Sequence, residues 1–307
     1  MAGIRENECP ALQGWLSRAP TRRPYNGCIM SFGMNRRGFL AAAGLAGAGG
    51  QRRAAAADER SGEIKLGVAS YSLREYSRAL AIRCVKELRT PYVSVKEFHL
   101  PYRSSPEELE NGRKEFERAG LTIVSGGNIT LAKDDPDDVR KYFEYAKMCG
   151  MPMIVCAPTH SNLGVIERFV KEYNIRMAIH THGPEDKQYP TPQSVLAVVK
   201  DMDPRCGLCM DVGHSSRAGA NVVESIAEAG NRLFDMHIKD LKTFEPHAIQ
   251  CDVGEGIMPV VGIFKALEKI GYQGCVNLEY EINGDNPLPG MKISFSYMRG
   301  VLAGLKG

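Results

Sequence analysis

Eight short apolar runs recur from Ile64 onward: "IKLGVAS" (64–70), "YVSVKEF" (92–98), "LTIVSGG" (121–127), "PMIVCAP" (152–158), "IRMAIHT" (175–181), "CGLCMDV" (206–212), "LFDMHIK" (233–239) and "CVNLEYE" (275–281). Most lie about 30 residues apart, room for one helix between consecutive strands. The intervening segments carry helix punctuation with a physical basis. Ser105-Pro106-Glu107-Glu108 sets a capping serine before a first-turn proline and a Glu at the third position, and Asp135-Pro136 and Thr191-Pro192 repeat the cap-then-proline order. Gly120, Gly150 and Gly271 stand where those helices should stop. Strands alternating with helices at this spacing pair in parallel through right-handed crossovers, and eight such units predict a closed (β/α)8 TIM barrel, α/β in class, as a single domain over 58–307.

In a barrel of this kind the chemistry is built where the strands end. The last five runs end at or just before Pro158-Thr159-His160, His180-Thr181-His182, Asp211-Val212-Gly213-His214, His237-Ile238-Lys239-Asp240 and Glu279-Tyr280-Glu281, so polar groups gather at one rim. Residues two apart on a strand share a face, which predicts paired projection of His180 with His182, His237 with Lys239 and Glu279 with Glu281. Asp211, His237 and Glu279, from three successive strands, can converge with His180 on one point. Two imidazoles and two carboxylates suit one divalent ion, Mn²⁺ first among Zn²⁺, Co²⁺ and Fe²⁺. Taken singly, each is an ordinary solvated rim residue; it is the set of four on adjacent strands that argues for a metal. Gly213 reads as a turn residue that lets Asp211 and His214 both face the mouth, though a plain turn would use glycine too.

The first sixty residues follow another logic. Residues 1–33 have no helical or strand period and carry three prolines, and are expected to be a disordered leader or a misassigned start. From Met34, "MNRRGFLAAAGLAGAGGQRRAAAADE" joins paired arginines to a short Ala/Gly/Leu stretch and small residues at 54–57, the pattern of a twin-arginine signal peptide over 34–57. Its apolar part, 38–50, is shorter than the roughly 20 residues a spanning helix needs. The expectation is therefore export to the periplasm or beyond, with no membrane insertion after cleavage.

This leader also explains the charge. Residues 1–57 hold eight Arg and two Glu of the 39 basic and 36 acidic residues, so the remainder carries 31 against 34, a net of −3. That balance, without a Lys/Arg cluster, argues against a nucleic-acid partner. Seven of nine cysteines follow the leader, an odd number scattered through apolar runs, which does not read as a disulfide framework. Cys206 and Cys209 are three apart in an extended run, point to opposite faces, and are expected to be packed rather than joined in a redox or zinc pair.

"VKEFHLP", "IHTHGPED", "MDVGHSSRAG", "HIKD", "VGEGIMPVVGIFKALEKIGYQG" and "VNLEYE" together resemble the xylose isomerase-like sugar isomerase/epimerase superfamily, which includes D-tagatose 3-epimerase, hydroxypyruvate isomerase and inosose dehydratase, over about residues 64–305. The resemblance implies one divalent metal held by a Glu, an Asp, a His and a Glu on strands five to eight, the two glutamates doubling as acid and base. Asp211, His237 and Glu279 match the last three positions. His180 stands where the epimerases have Glu, and a ligated neutral imidazole is a poor base for the second face of an epimerised carbon. The His-x-His of His180 and His182 is similar instead to the inosose dehydratase branch, where a proton leaves beside a carbonyl and a hydroxyl departs.

These readings give a metal-dependent isomerase or epimerase of a small unphosphorylated sugar or keto-sugar, with a keto-sugar or keto-inositol lyase and a non-catalytic sugar-binding barrel as alternatives. A nuclease on the same barrel would need more ligands and a basic face. Glu279, Lys96 and Lys239 are the catalytic candidates; Lys96 could equally be an interior ion pair. His182, His214, Arg217 and His99 are candidates for binding substrate, with His160 behind them. No Gly-rich phosphate loop is present, since "SGGN" at 125–128 lacks the spacing and the lysine. The sequence leaves homo-oligomerisation open.

Overall fold

The computed structural model describes residues 63–307; the expected leader (1–33) and signal peptide (34–57) lie outside them. Eight parallel strands close into a barrel in the order β1-β10-β7-β6-β5-β4-β3-β2. They are β1 (Lys65–Ala69), β2 (Tyr92–Val95), β3 (Thr122–Leu131), β4 (Met153–Pro158), β5 (Arg176–His180), β6 (Cys206–Asp211), β7 (Leu233–Ile238) and β10 (Cys275–Leu278), one for each apolar run. A two-stranded antiparallel ribbon, β8 (Asp240–Leu241) and β9 (Gln250–Cys251), follows β7.

Among the described residues nine helices flank the strands: α1 (Arg78–Glu87), α2 (Pro106–Arg118), α3 (Pro136–Met148), α4 (Leu163–Tyr173), α5 (Pro192–Val199), α6 (Val212–Arg217), α7 (Val222–Ala229), α8 (Val260–Lys269) and α9 (Leu288–Leu305). Their starts are chemically marked. Ser105 and Glu108 exchange hydrogen bonds in a capping box (3.3 and 2.7 Å), Asp135 caps α3, and Thr191 and Ser194 form a second box on α5; such caps are worth about 1 kcal/mol each. Gly120, Gly150 and Gly271 follow α2, α3 and α8 at positive φ, the left-handed conformation that ends a helix. No helix among the described residues is long and apolar enough to cross a membrane.

Leu, Ile, Val and Phe from the outer strand faces and the inner helix faces form the main core. Inside the barrel, Met153, Val155, Ala178, Cys209 and Phe234 make a smaller apolar cluster. Beside it lies a polar layer in which Asp235 accepts from Ser125 Oγ and Asn277 Nδ2, both at 2.7 Å, leaving the carboxylate buried but well bonded. Two residues further along β7 and past β10, on the same faces, come His237 and Glu279 at the mouth. Cys206 belongs to the outer core and Cys209 to the interior one, and all seven cysteines of the barrel are buried and free.

Candidate metal centre

Asp211 ends β6 directly opposite His237 on β7, while His180 ends β5 opposite Cys209. This register brings one atom each of His180, Asp211, His237 and Glu279 within 4.8 Å of one another, all four residues buried. His180 Nε2 lies 3.0 Å from His237 Nδ1 and 3.9 Å from Asp211 Oδ2, and His237 Nδ1 lies 3.3 Å from Glu279 Oε2. Cys209 can join His180 and His237, and His214, Glu279 and Glu281 form a further close group.

Several features fit a divalent ion. Two imidazoles and two carboxylates converge from four strand ends, and the buried Asp211 Oδ2 atom has no partner beyond the Lys239 ammonium. Burial, and after it the neighbouring His237, holds the His180 ring well below the usual imidazole range, so it is neutral as a ligand must be. Burial disfavours a charge on His237, yet Cys209 and Glu279 draw it well above that range, so metal binding would release a proton there. Burial likewise works against the Glu279 charge, but Lys239 and His237 outweigh it and keep the carboxyl well below the usual carboxylate range.

Lys239, expected on the same face as His237, stands at the centre of this group. It follows the last residue of β7, is buried, and places Nζ 3.0 Å from Asp211 Oδ2, 3.0 Å from Glu279 Oε2 and 2.8 Å from Glu281 Oε2. Its stem explains Gly213. A Cβ there would stand 2.6 Å from Lys239 Cγ, so glycine is required by close approach. The expected turn after β6 is instead the short helix α6, capped by Asp211 Oδ1 accepting from His214 N at 2.7 Å.

The remaining candidates divide. His182 leaves the strand, heading the 3-10 turn Gly183–Glu185 rather than extending β5, but its ring centroid stays 4.5 Å from that of His180. His214 has its pKa lowered to about 3 by burial, with Lys239 and Arg217 adding to the effect, and its Nδ1 accepts from Arg217 Nη2 at 2.7 Å. The Nε2–H of His214 is therefore the donor left for a ligand. Arg217 spends its guanidinium on both oxygens of Glu185 (2.5 and 3.0 Å) and on the Pro246 carbonyl, tying the loop after β5 to the loop after β8. His99 is buried with Nε2 against the Leu73 carbonyl at 3.2 Å, and does not join the cluster. Lys96 lies just past β2 with Nζ 4.5 Å from the centre of the Tyr71 ring, a cation–π contact rather than an interior ion pair. His160 bonds Gln188 and stacks on Tyr189.

Asn128 was not among the candidates, yet its Nδ2 meets His182 Nε2 at 2.7 Å. Only the glycine pair before it hinted at an irregular strand.

A family description headed xylose isomerase-like TIM barrel matches residues 92–300. The inosose dehydratase of Mesomycoplasma hyopneumoniae (strain 7448) is 24% identical over a 200-residue alignment that covers 59% of this chain and 61% of that enzyme's length, short of its full extent. Among solved structures, the IolI protein with a bound zinc atom superposes with a TM-score of 0.67 at 17% identity, over 78% of this chain and 99% of that one. D-psicose 3-epimerase in the presence of D-fructose gives 0.63 at 19%, over 78% and 99%. With the family description covering over half of the chain, closed parallel barrel and strand-end site included, the chain belongs to the xylose isomerase-like TIM barrel family.

Proposed function

We propose that this protein is a divalent-metal-dependent enzyme that removes a proton beside the carbonyl of a small unphosphorylated keto-sugar or keto-polyol and expels the hydroxyl on the next carbon. The observation that carries this reading is the contact of Lys239 Nζ with Glu279 Oε2 at 3.0 Å, which sets an ammonium and a carboxylate side by side. Elimination needs one base and one acid, and this pair supplies both. Epimerisation needs a base on each face of the carbon, and strand five offers the imidazole of His180 in place of the second carboxylate. The match to an inosose dehydratase supports the same preference. Isomerisation or epimerisation, which the sequence placed first, becomes the second reading.

A metal at His180, Asp211, His237 and Glu279 would polarise the carbonyl and acidify the neighbouring C–H bond; that the IolI protein binds a zinc atom supports a divalent ion in this barrel. Glu279 takes the proton from that carbon. As the C–O bond to the next carbon breaks, Lys239 gives a proton to the departing hydroxyl, which leaves as water, and the proton on Glu279 returns to the lysine. His214 Nε2–H donates to a substrate oxygen. The unphosphorylated substrate follows from the missing phosphate loop and from Arg217 being committed to Glu185. We also propose that the chain is exported through its twin-arginine segment, where free sugars outnumber sugar phosphates.

The test is proton NMR in D₂O with Mn²⁺-loaded protein, scyllo-inosose and ketohexoses. The expected result is loss of a hydroxyl with appearance of a dehydrated product, abolished in Glu279→Gln. Epimer formation without dehydration would favour the second reading, and a sugar phosphate turned over with far higher kcat/KM would overturn the substrate class.

A further inference from the structure

The strand β3 pairs Gly126 with Ile154 and Ile129 with Cys156, three steps against two, so Gly127 and Asn128 form a bulge opposite Val155. Gly127 has φ 133, and a Cβ on it would run into the Val155 carbonyl oxygen, so only glycine fits. A bulge re-aims the side chain it carries. Here that side chain is Asn128, whose Nδ2 lies 2.7 Å from His182 Nε2.

Three residues set the polarity of this contact. Asp186 is fixed by the backbone N–H groups of Gln188 and Tyr189, which donate to Oδ1 at 2.7 and 3.1 Å, and its Oδ2 faces His182 Nδ1 at 3.5 Å. A carboxylate only accepts, so Asp186 Oδ2 calls for the ring N–H of His182 on Nδ1, which leaves Nε2 to accept from Asn128. Asn128 must then present its NH₂ to the ring, which turns Oδ1 the other way. That oxygen is buried without a protein partner. An amide oxygen with no donor in a site of this kind is costly unless a ligand or water supplies one.

From this chain of contacts we infer that Asn128 is a substrate-binding residue, its Oδ1 accepting a hydrogen bond from one hydroxyl of a polyhydroxylated ligand, with His182 and Asp186 as the residues that position it. The inference rests on the sugar-directed function proposed above and adds the group that selects among sugars. A ligand with a hydroxyl at the matching carbon binds; one with hydrogen there leaves the oxygen unpaired.

The experiment measures binding to the Mn²⁺-loaded protein by titration calorimetry, with D-fructose, D-tagatose and scyllo-inosose as probes. Monodeoxy analogues of the tightest probe follow. Asn128→Ala should weaken the probe about tenfold and keep Mn²⁺ affinity within about twofold. One deoxy analogue should bind wild type about tenfold more weakly than its parent, yet bind the variant as the parent does. Should the alanine variant not fold, Asn128→Ser carries the same comparison. Equal probe binding by wild type and variant, additive losses, or a parallel loss of Mn²⁺ would overturn the inference while leaving the function standing. Absence of binding of every probe to Mn²⁺-loaded wild type would overturn both.

Discussion

The Lys239 ammonium lies 3.0 Å from the Glu279 carboxylate, although Glu279 is also one of the four converging residues that could hold a metal ion. One oxygen is thus shared between a tethered cation and the place where an ion would be held. Three carboxylates, Asp211, Glu279 and Glu281, face a single ammonium, an excess of negative charge that a divalent cation would balance.

Lys239→Met tests that sharing. Removing this ammonium from three carboxylates, two of them buried, should destabilise the metal-free protein by about 3–5 kcal/mol, read from urea unfolding in EDTA. Saturating Mn²⁺ should restore part of the loss, and Mn²⁺ affinity should rise or stay level. A tenfold weaker Mn²⁺ affinity would show that the lysine supports the metal instead of competing with it.

Asp211→Asn keeps the acceptor that caps α6 while deleting the charge. Mn²⁺ affinity measured by calorimetry should fall at least about tenfold, with the far-ultraviolet circular dichroism of wild type. Undiminished affinity would remove Asp211 from the ligand set.

His214 links stability to pH. Its folded pKa of about 3 lies below the unfolded value near 6.5, so below pH 6.5 the unfolded chain binds a proton that the folded chain refuses. Stability is lost as pH falls through that window and is fully present above it. Comparing urea unfolding in EDTA at pH 7 and pH 5, His214→Gln should lose less than wild type by up to about 2 kcal/mol. Identical losses in the two proteins would contradict the shift.

The twin-arginine expectation has its own check. Arg36→Lys with Arg37→Lys should leave the chain in the cytoplasm in cell fractionation, while wild type reaches the periplasm. Normal export of the double variant would end that reading.

By itself the sequence determined the barrel and most of the rim. Strand period, cap-then-proline starts and terminal glycines are local signals, readable within one turn or one strand, and they placed all eight barrel strands. His180, Asp211, His237 and Glu279 were legible because strand ends in a closed parallel barrel all face one mouth. Tertiary structure alone decided what the other polar groups do. Lys96 and Lys239 look alike as lysines near strand ends, yet one lies over Tyr71 and the other is buried among three carboxylates. Arg217 and His99 read as mouth residues until their partners, Glu185 and the Leu73 carbonyl, are seen. Asn128 was hidden because a bulge breaks the two-residue period by which a strand's faces are read. Each of these outcomes depends on contacts between segments far apart in the chain, which carry no periodic trace in the sequence.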